Sequence, residues 1–226
     1  MAATTIHDLP SLRDRAPVFR DRAHAGVTLA SMLEPAFRGA DAIVLAIPAG
    51  GVPVAAEIAR RLGLPLDLAV VSKILLPWTT ESGFGAVAFD GTEWINAADV
   101  RRFGLSKDDV ERSTAAARDK VTRRVKRLRG ARPMPDLRGR PVIVVDDGIA
   151  AGSTLRTAIA ALRKLEAQRV IVAVPTGHDR SVELVAGLAD EVYCANVRGG
   201  GRFAVAEAYE EWHDVGEEEV ARSIGA

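Results

Sequence analysis

Apolar positions along this chain fall into two patterns. Some form short unbroken runs rich in valine and isoleucine, and others recur every three or four residues. The runs Ala42–Ile47, Leu66–Val71, Val142–Val145 and Arg169–Val174 read as strands buried on both faces, with Glu191–Cys194 as a last short strand. Helical spacing covers Val18–Phe37 through Phe19, Val27, Leu29, Ala30 and Leu33. It continues from Pro53 through Ala55, Ile58, Ala59 and Leu62, where Gly63 and Pro65 stop it. A long helix is predicted over Ser106–Arg129, another from Thr154 through Leu155, Ile159, Leu162 and Leu165, and a short one over Val182–Leu188. Ala86–Phe89 and Thr92–Asn96 flank Asp90-Gly91, a two-residue hairpin signal. Ile74–Gly85 has no clear period and reads as an ordered loop or hinged lid. Strands alternating with helices predict an α/β fold: an open, mostly parallel twisted sheet with helices on both faces.

In such a sheet, ligands bind outside the carboxyl ends of the strands. The stretch Val142-Ile143-Val144-Val145-Asp146-Asp147-Gly148-Ile149-Ala150-Ala151-Gly152-Ser153-Thr154 puts two carboxylates there, followed by a small-residue turn into a helix. Such a turn offers free backbone N–H groups and a positive dipole end, which suits a phosphate. An aspartate before a helix can also be only an N-cap, and strand, acid, glycine turn and helix recur in many α/β proteins. The chain has neither G-x-x-x-x-G-K-[ST] nor G-x-G-x-x-G. Pro48-Ala49-Gly50-Gly51 repeats the strand–turn–helix device about a hundred residues earlier, with glycines that let backbone approach a ligand closely.

The thirteen-residue run resembles the phosphoribosyl pyrophosphate (PRPP) signature of type I phosphoribosyltransferases. Phe19-Arg20-Asp21-Arg22-Ala23-His24-Ala25-Gly26, Pro77-Trp78, Glu81 and Gly85-Ala86-Val87 resemble a bacterial and archaeal subgroup of that family. The resemblance implies displacement of pyrophosphate from C1 of PRPP by an unidentified acceptor, usually a base nitrogen. Asp146 and Asp147 would face the ribose 2′- and 3′-hydroxyls, and Gly148, Ile149, Ala150, Ala151, Gly152, Ser153 and Thr154 would hold the 5′-phosphate. Ala49, Gly50 and Gly51 would lie at the pyrophosphate, with Lys73 as the replacement charge. A lid would contain Trp78, Thr79, Thr80 and Glu81, and Phe203, Tyr209 and Trp212 are candidates for a small hood over the base. Mg²⁺ would come with PRPP, near Asp146 and Asp147, without a cluster of protein ligands. A homodimer is implied as well. Two departures stand out: Ala151 replaces the family's usual threonine, and Ala49 stands where arginine or lysine is common. No evident general base appears; His178 is a candidate but reads first as a structural turn residue, and His24 reads as a surface residue.

Composition narrows the setting. The 226 residues are read as one domain, with a lid and hairpin at about 74–96 and the basic helix at 106–129. Thirty basic residues balance thirty acidic ones, so no overall charge draws the chain to nucleic acid or membrane. Arg118, Lys120, Arg123, Arg124, Lys126, Arg127 and Arg129 cluster on the long helix without interleaved aromatics, and read as a solvated face. Cys194 is the single cysteine, which suits a reducing compartment. The first ten residues do not read as a signal peptide, no apolar run has membrane-spanning length, and a cytoplasmic protein is expected. A non-catalytic PRPP or nucleotide-binding module stays open as a function, as does a hydrolase or phosphorylase acting on a phosphorylated sugar.

Overall fold

The computed structural model describes residues 4–224; the first three residues, part of the stretch weighed as a signal peptide, lie outside them. The chain begins with β1 (Thr5–His7), α1 (Arg22–Phe37), β2 (Ile43–Ala46), α2 (Gly51–Leu62) and β3 (Leu66–Leu68). Next come β4 (Val71–Leu75), β5 (Gly83–Ala88), β6 (Glu93–Ile95), α3 (Ala97–Arg102) and α4 (Lys107–Arg129). It ends with β7 (Pro141–Val145), α5 (Ser153–Lys164), β8 (Arg169–His178), α6 (Asp179–Ala186), β9 (Glu191–Arg198) and α7 (Glu217–Ser223). Six strands form a sheet in the order β1-β9-β8-β7-β2-β3, and all its pairings are parallel. The expected parallel sheet is therefore present. β4, β5 and β6 form a separate antiparallel sheet, packed between α4 and α5.

β7 lies in the middle, and the four residues Val142–Val145 have 0% exposure. Ile143 and Val145 pack with Leu29, Leu33 and Ile58 on the face covered by α1 and α2. Val142 and Val144 pack with Leu155, Ile159 and Leu162 on the face covered by α5. Full burial of such a side chain contributes roughly 1.5–3 kcal/mol, which is why the run carries no polar residue until it leaves the sheet. Among the described residues no helix is long and apolar enough to cross a membrane.

Several boundaries differ from the sequence expectation. α1 begins at Arg22, because the Asp21 carboxylate accepts the His24 N–H at 2.7 Å and caps the helix. Val18 and Phe19 are instead tied to the tail, their amides donating to Ala208 O at 3.0 and 2.9 Å. The run Leu66–Val71 splits into β3 and β4 in two different sheets, so Lys73 lies within β4 and not at the end of a parallel strand. Both ends of the expected loop Ile74–Gly85 are strand, leaving residues 76–82 as the connection. Pro175-Thr176-Gly177-His178 continues β8; its pairing to β9 places Val174 opposite Cys194 and Thr176 opposite Asn196, passing over Pro175, which has no N–H to give.

Candidate active site

The carboxyl ends of β2 and β7 open onto a cavity of about 290 Å³, lined by Asp146, Asp147 and the whole stretch Gly148–Leu155. The loop is held from below by the extension of β8. Ile149 N–H donates to Thr176 O at 2.9 Å, His178 N–H to Ile149 O at 3.0 Å, and the Ser181 hydroxyl to Ala150 O at 2.6 Å. Gly152 caps α5 at φ 76°, a conformation that an L side chain strains to adopt. So fixed, the amides of Ala150 through Leu155 donate to no other group among the described residues. Six consecutive free N–H groups leading into a helix suit an anion.

The two carboxylates differ. Asp146 accepts the Asp147 N–H at 2.9 Å, and no cationic side chain bonds it among the described residues. Burial, and then the neighbouring negative charge of Asp147, push its carboxyl well above the ordinary range. Burial raises Asp147 too, but the guanidinium of Arg22 opposes it. Arg22, 5% exposed, donates from both Nε and Nη2 to Asp147 Oδ2 at 3.0 Å, and from Nη1 to His213 O at 2.8 Å. The Trp212 ring covers that guanidinium, 3.8 Å from ring centroid to the carbon. Tyr209 donates its hydroxyl to Asp147 O at 2.7 Å. Sequence reading missed Arg22; the signals were its place in the subgroup-like stretch Phe19–Gly26 and its helical register with Leu29 and Leu33.

A family model described as the phosphoribosyl transferase domain matches residues 93–207, half of the chain. The chain belongs to this family. Its family match begins after β2 and β4, so Arg22, Gly50 and Lys73 lie outside it. A protein of Mycobacterium tuberculosis, named "Putative phosphoribosyl transferase Rv0571c", is 39% identical over 206 residues, covering 90% of this chain and 45% of the relative. This phosphoribosyl transferase domain thus spans about half the length of the curated relatives it matches. The crystal structure of TT1426 from Thermus thermophilus is 35% identical, covers 91% of this chain and 97% of that one, and superposes with a TM-score of 0.71. AQ2163 from Aquifex aeolicus, at 11% identity and a TM-score of 0.51 over 80% of this chain and 76% of that one, shares the fold alone.

Within this family member, the structure brings together Asp146, Asp147, Gly148–Thr154, Lys73 and Thr80 around the cavity. Ala49, Gly50 and Gly51 are not among its lining residues; Pro48 is. Gly50 works from behind, since a Cβ there would lie 1.9 Å from Asp147 Oδ2. The Pro48–Ala49 peptide is cis. Trp78 is 63% exposed and meets the edge of Phe103, while the Thr79 hydroxyl accepts the Glu81 N–H at 3.2 Å; none of the three lines the cavity. His178 contacts Gly200 O at 3.0 Å and Asp179, outside the cavity lining, as does Phe203 on the His178 and Arg198 side chains. His24 is exposed and accepts the Arg20 N–H, as a surface residue should. Of the three hood candidates, Tyr209 and Trp212 adjoin the site through Asp147 and Arg22.

The basic face of α4 needs correction. Arg129 is 5% exposed and bonds Asp67 Oδ1 at 2.8 Å and Leu68 O at 3.1 Å, so it is a structural residue. Lys120 and Arg124 line the cavity. Helical spacing already sets Arg124 beside the apolar stripe, three residues after Val121 and four before Leu128, but only packing decides what it meets there.

Proposed function

We propose that this protein transfers the 5-phosphoribosyl group of PRPP to an acceptor, a nucleobase nitrogen, and releases pyrophosphate. One observation carries the reading: adjacent carboxylates and six free helix-start amides share a single cavity in a member of this family. The amides of residues 150–155, with the Ser153 and Thr154 hydroxyls, would hold the 5′-phosphate and thereby position C1. Asp146 and Asp147 would accept hydrogen bonds from the ribose hydroxyls and set negative charge beside the oxocarbenium-like sugar as the bond to pyrophosphate breaks. The connection at 76–82, through Thr80, would limit access of water.

Mg²⁺ belongs to the same proposal. Among the described residues no group of three or more His, Cys, Asp or Glu could hold a metal, and Arg22 already bonds Asp147 Oδ2. Such a donor set fits a hydrated ion carried in by the diphosphate, not a cage of protein ligands. Bound there, Mg²⁺ would neutralise charge on the leaving pyrophosphate. A cytoplasmic homodimer remains our working assignment, supported for the compartment by a single, buried cysteine.

Thermal unfolding with Mg²⁺ and PRPP, compared with ribose 5-phosphate, AMP, GMP and UMP, tests binding. A specific ligand at 100 times its Kd should add about 2.7 kcal/mol. Pyrophosphate release across a panel of bases then tests transfer. A non-catalytic module is the second reading, favoured by the hold of Arg22 on Asp147; it predicts a PRPP shift without release. Release without any acceptor would mean hydrolysis. A protein that PRPP does not stabilise at all overturns the proposal.

A further inference from the structure

The turn after β2 carries Ala49 and supplies no cation to the cavity, yet the cavity is not short of positive charge. α4 passes this end of it. Arg124, whose side chain is 15% exposed, reaches the turn itself and donates from Nη1 to Pro48 O at 3.2 Å. Its Nε lies 3.5 Å from Glu217 Oε1 on α7, and its Nη2 has no partner among the described residues. Lys120, one helical turn earlier and so on the same side of α4, lines the same cavity, as does Lys73 from β4. Neither ammonium is within hydrogen-bond or ion-pair distance of a partner among the described residues, although Lys73 stands near enough to Asp146 and Asp147 to favour their charged forms. The lining holds two acids, Asp146 and Asp147, and the second is already paired with Arg22. Burial works against the charge of Arg124, and Glu217 alone opposes that. Three cations converging on one cavity repel each other unless an anion joins them.

We propose that Lys120 and Arg124, with Lys73, form the diphosphate subsite of this cleft, so that the long helix α4 supplies the charge that the β2–α2 turn lacks. The inference rests on the phosphoribosyl-transfer reading. It gives the cavity two separate anion receptors: backbone amides at the start of α5 for a monophosphate, and side-chain cations from α4 and β4 for a diphosphate. Asp146 and Asp147 belong to neither and are left to the sugar. An arginine fork suits a diphosphate, whose oxygens accept paired N–H bonds, and the lysines add mobile charge.

Isothermal titration of wild-type protein, Lys120→Gln, Arg124→Gln and the double variant decides the matter, with Mg²⁺ and either inorganic pyrophosphate, PRPP or ribose 5-phosphate. Each substitution is expected to weaken pyrophosphate and PRPP by roughly 10- to 100-fold, the loss of one charged hydrogen bond, and to leave ribose 5-phosphate unchanged. Arg127→Gln, which removes an exposed cation sharing Glu217, should alter none of the three. Undiminished pyrophosphate and PRPP affinity in the double variant overturns the inference. So does an equal loss of ribose 5-phosphate, which marks a structural role. Wild-type protein that binds pyrophosphate through these residues but not PRPP leaves the subsite standing and overturns the transfer reading; binding of neither overturns both.

Discussion

Arg22 on α1 and Asp147 after β7 stand 125 positions apart in sequence and share two hydrogen bonds of 3.0 Å at a single carboxylate oxygen. The same guanidinium bonds His213 O and lies under Trp212, so one cation joins the first helix, the central strand and the tail. It also makes two neighbouring half-buried acids unlike each other: Asp147 has a counter-charge, and Asp146 has a backbone N–H.

Removing this cation should expose the cost of the acids. Arg22→Met leaves the half-buried Asp147 without its cation, and breaking one side of a fully buried pair costs about 3–5 kcal/mol, so a loss of about 2–3 kcal/mol is expected. Without Arg22 the Asp147 carboxyl, already raised by burial, rises further. A raised carboxyl favours folding while protonated and loses that contribution as pH climbs through its folded value. The stability deficit of the variant should therefore be largest near about pH 8 and shrink toward about pH 4, as read by chemical denaturation at both.

Asp146→Asn should stabilise the protein while removing ligand binding. The carboxyl of Asp146 is held well above its ordinary range, so its ionised form opposes folding at neutral pH. An amide there has no such penalty. Melting temperature at neutral pH should rise by a few degrees, given about 2–4 °C per kcal/mol for a chain of this size. That gain should vanish below the ordinary carboxylate range, where the wild-type acid is protonated in both states. PRPP should no longer shift the melting curve of the variant, nor that of Asp146→Asn with Asp147→Asn.

Gly50→Ala tests whether the turn after β2 acts through Asp147. The new methyl would fall 1.9 Å from Oδ2 and must displace that carboxylate from Arg22. PRPP affinity should fall at least tenfold, or about 1.4 kcal/mol by titration. Gly63→Ala, where nothing lies within 4 Å, should cost stability through its φ of 67° and leave PRPP affinity alone.

Arg129→Ala should be far more damaging than loss of any other cation on α4. Its guanidinium bonds Asp67, Leu68 O and Pro133 O, linking α4 to β3 and to the connector before β7. Truncation should cost about 3 kcal/mol or more in urea denaturation, against under 1 kcal/mol for the exposed Arg123.

The parallel sheet, the two helix-bearing turns and the paired acids were legible because each is written locally. A run such as Val142–Val145 is apolar throughout because both faces are covered, and the change to helical spacing at Thr154 marks where the strand gives way. Short or interrupted elements were not. β1 is three residues at a sheet edge and shows no period, and Pro175 hid the rest of β8 because a proline ordinarily ends a central strand. Leu68–Val71 is one unbroken apolar run, and nothing local tells that the chain leaves the parallel sheet at Leu68 and enters a second one at Val71.

The sequence by itself determined most of the core, where the carboxyl ends of β2 and β7 lie and which two acids stand there, because burial periodicity and turn chemistry act over a few residues. Only the tertiary structure decided which charges meet. Arg22, Arg124 and Arg129 are three arginines on helices, and spacing can set such a residue beside an apolar stripe without saying what it meets. One closes on Asp147, one faces the cavity, and one is buried in the frame. Their roles follow from the order of strands that places β2 beside β7 and from the second sheet, on which α4 packs with Arg124 reaching the turn after β2. Electrostatic partnership depends on distance in space, and no period along the chain encodes it.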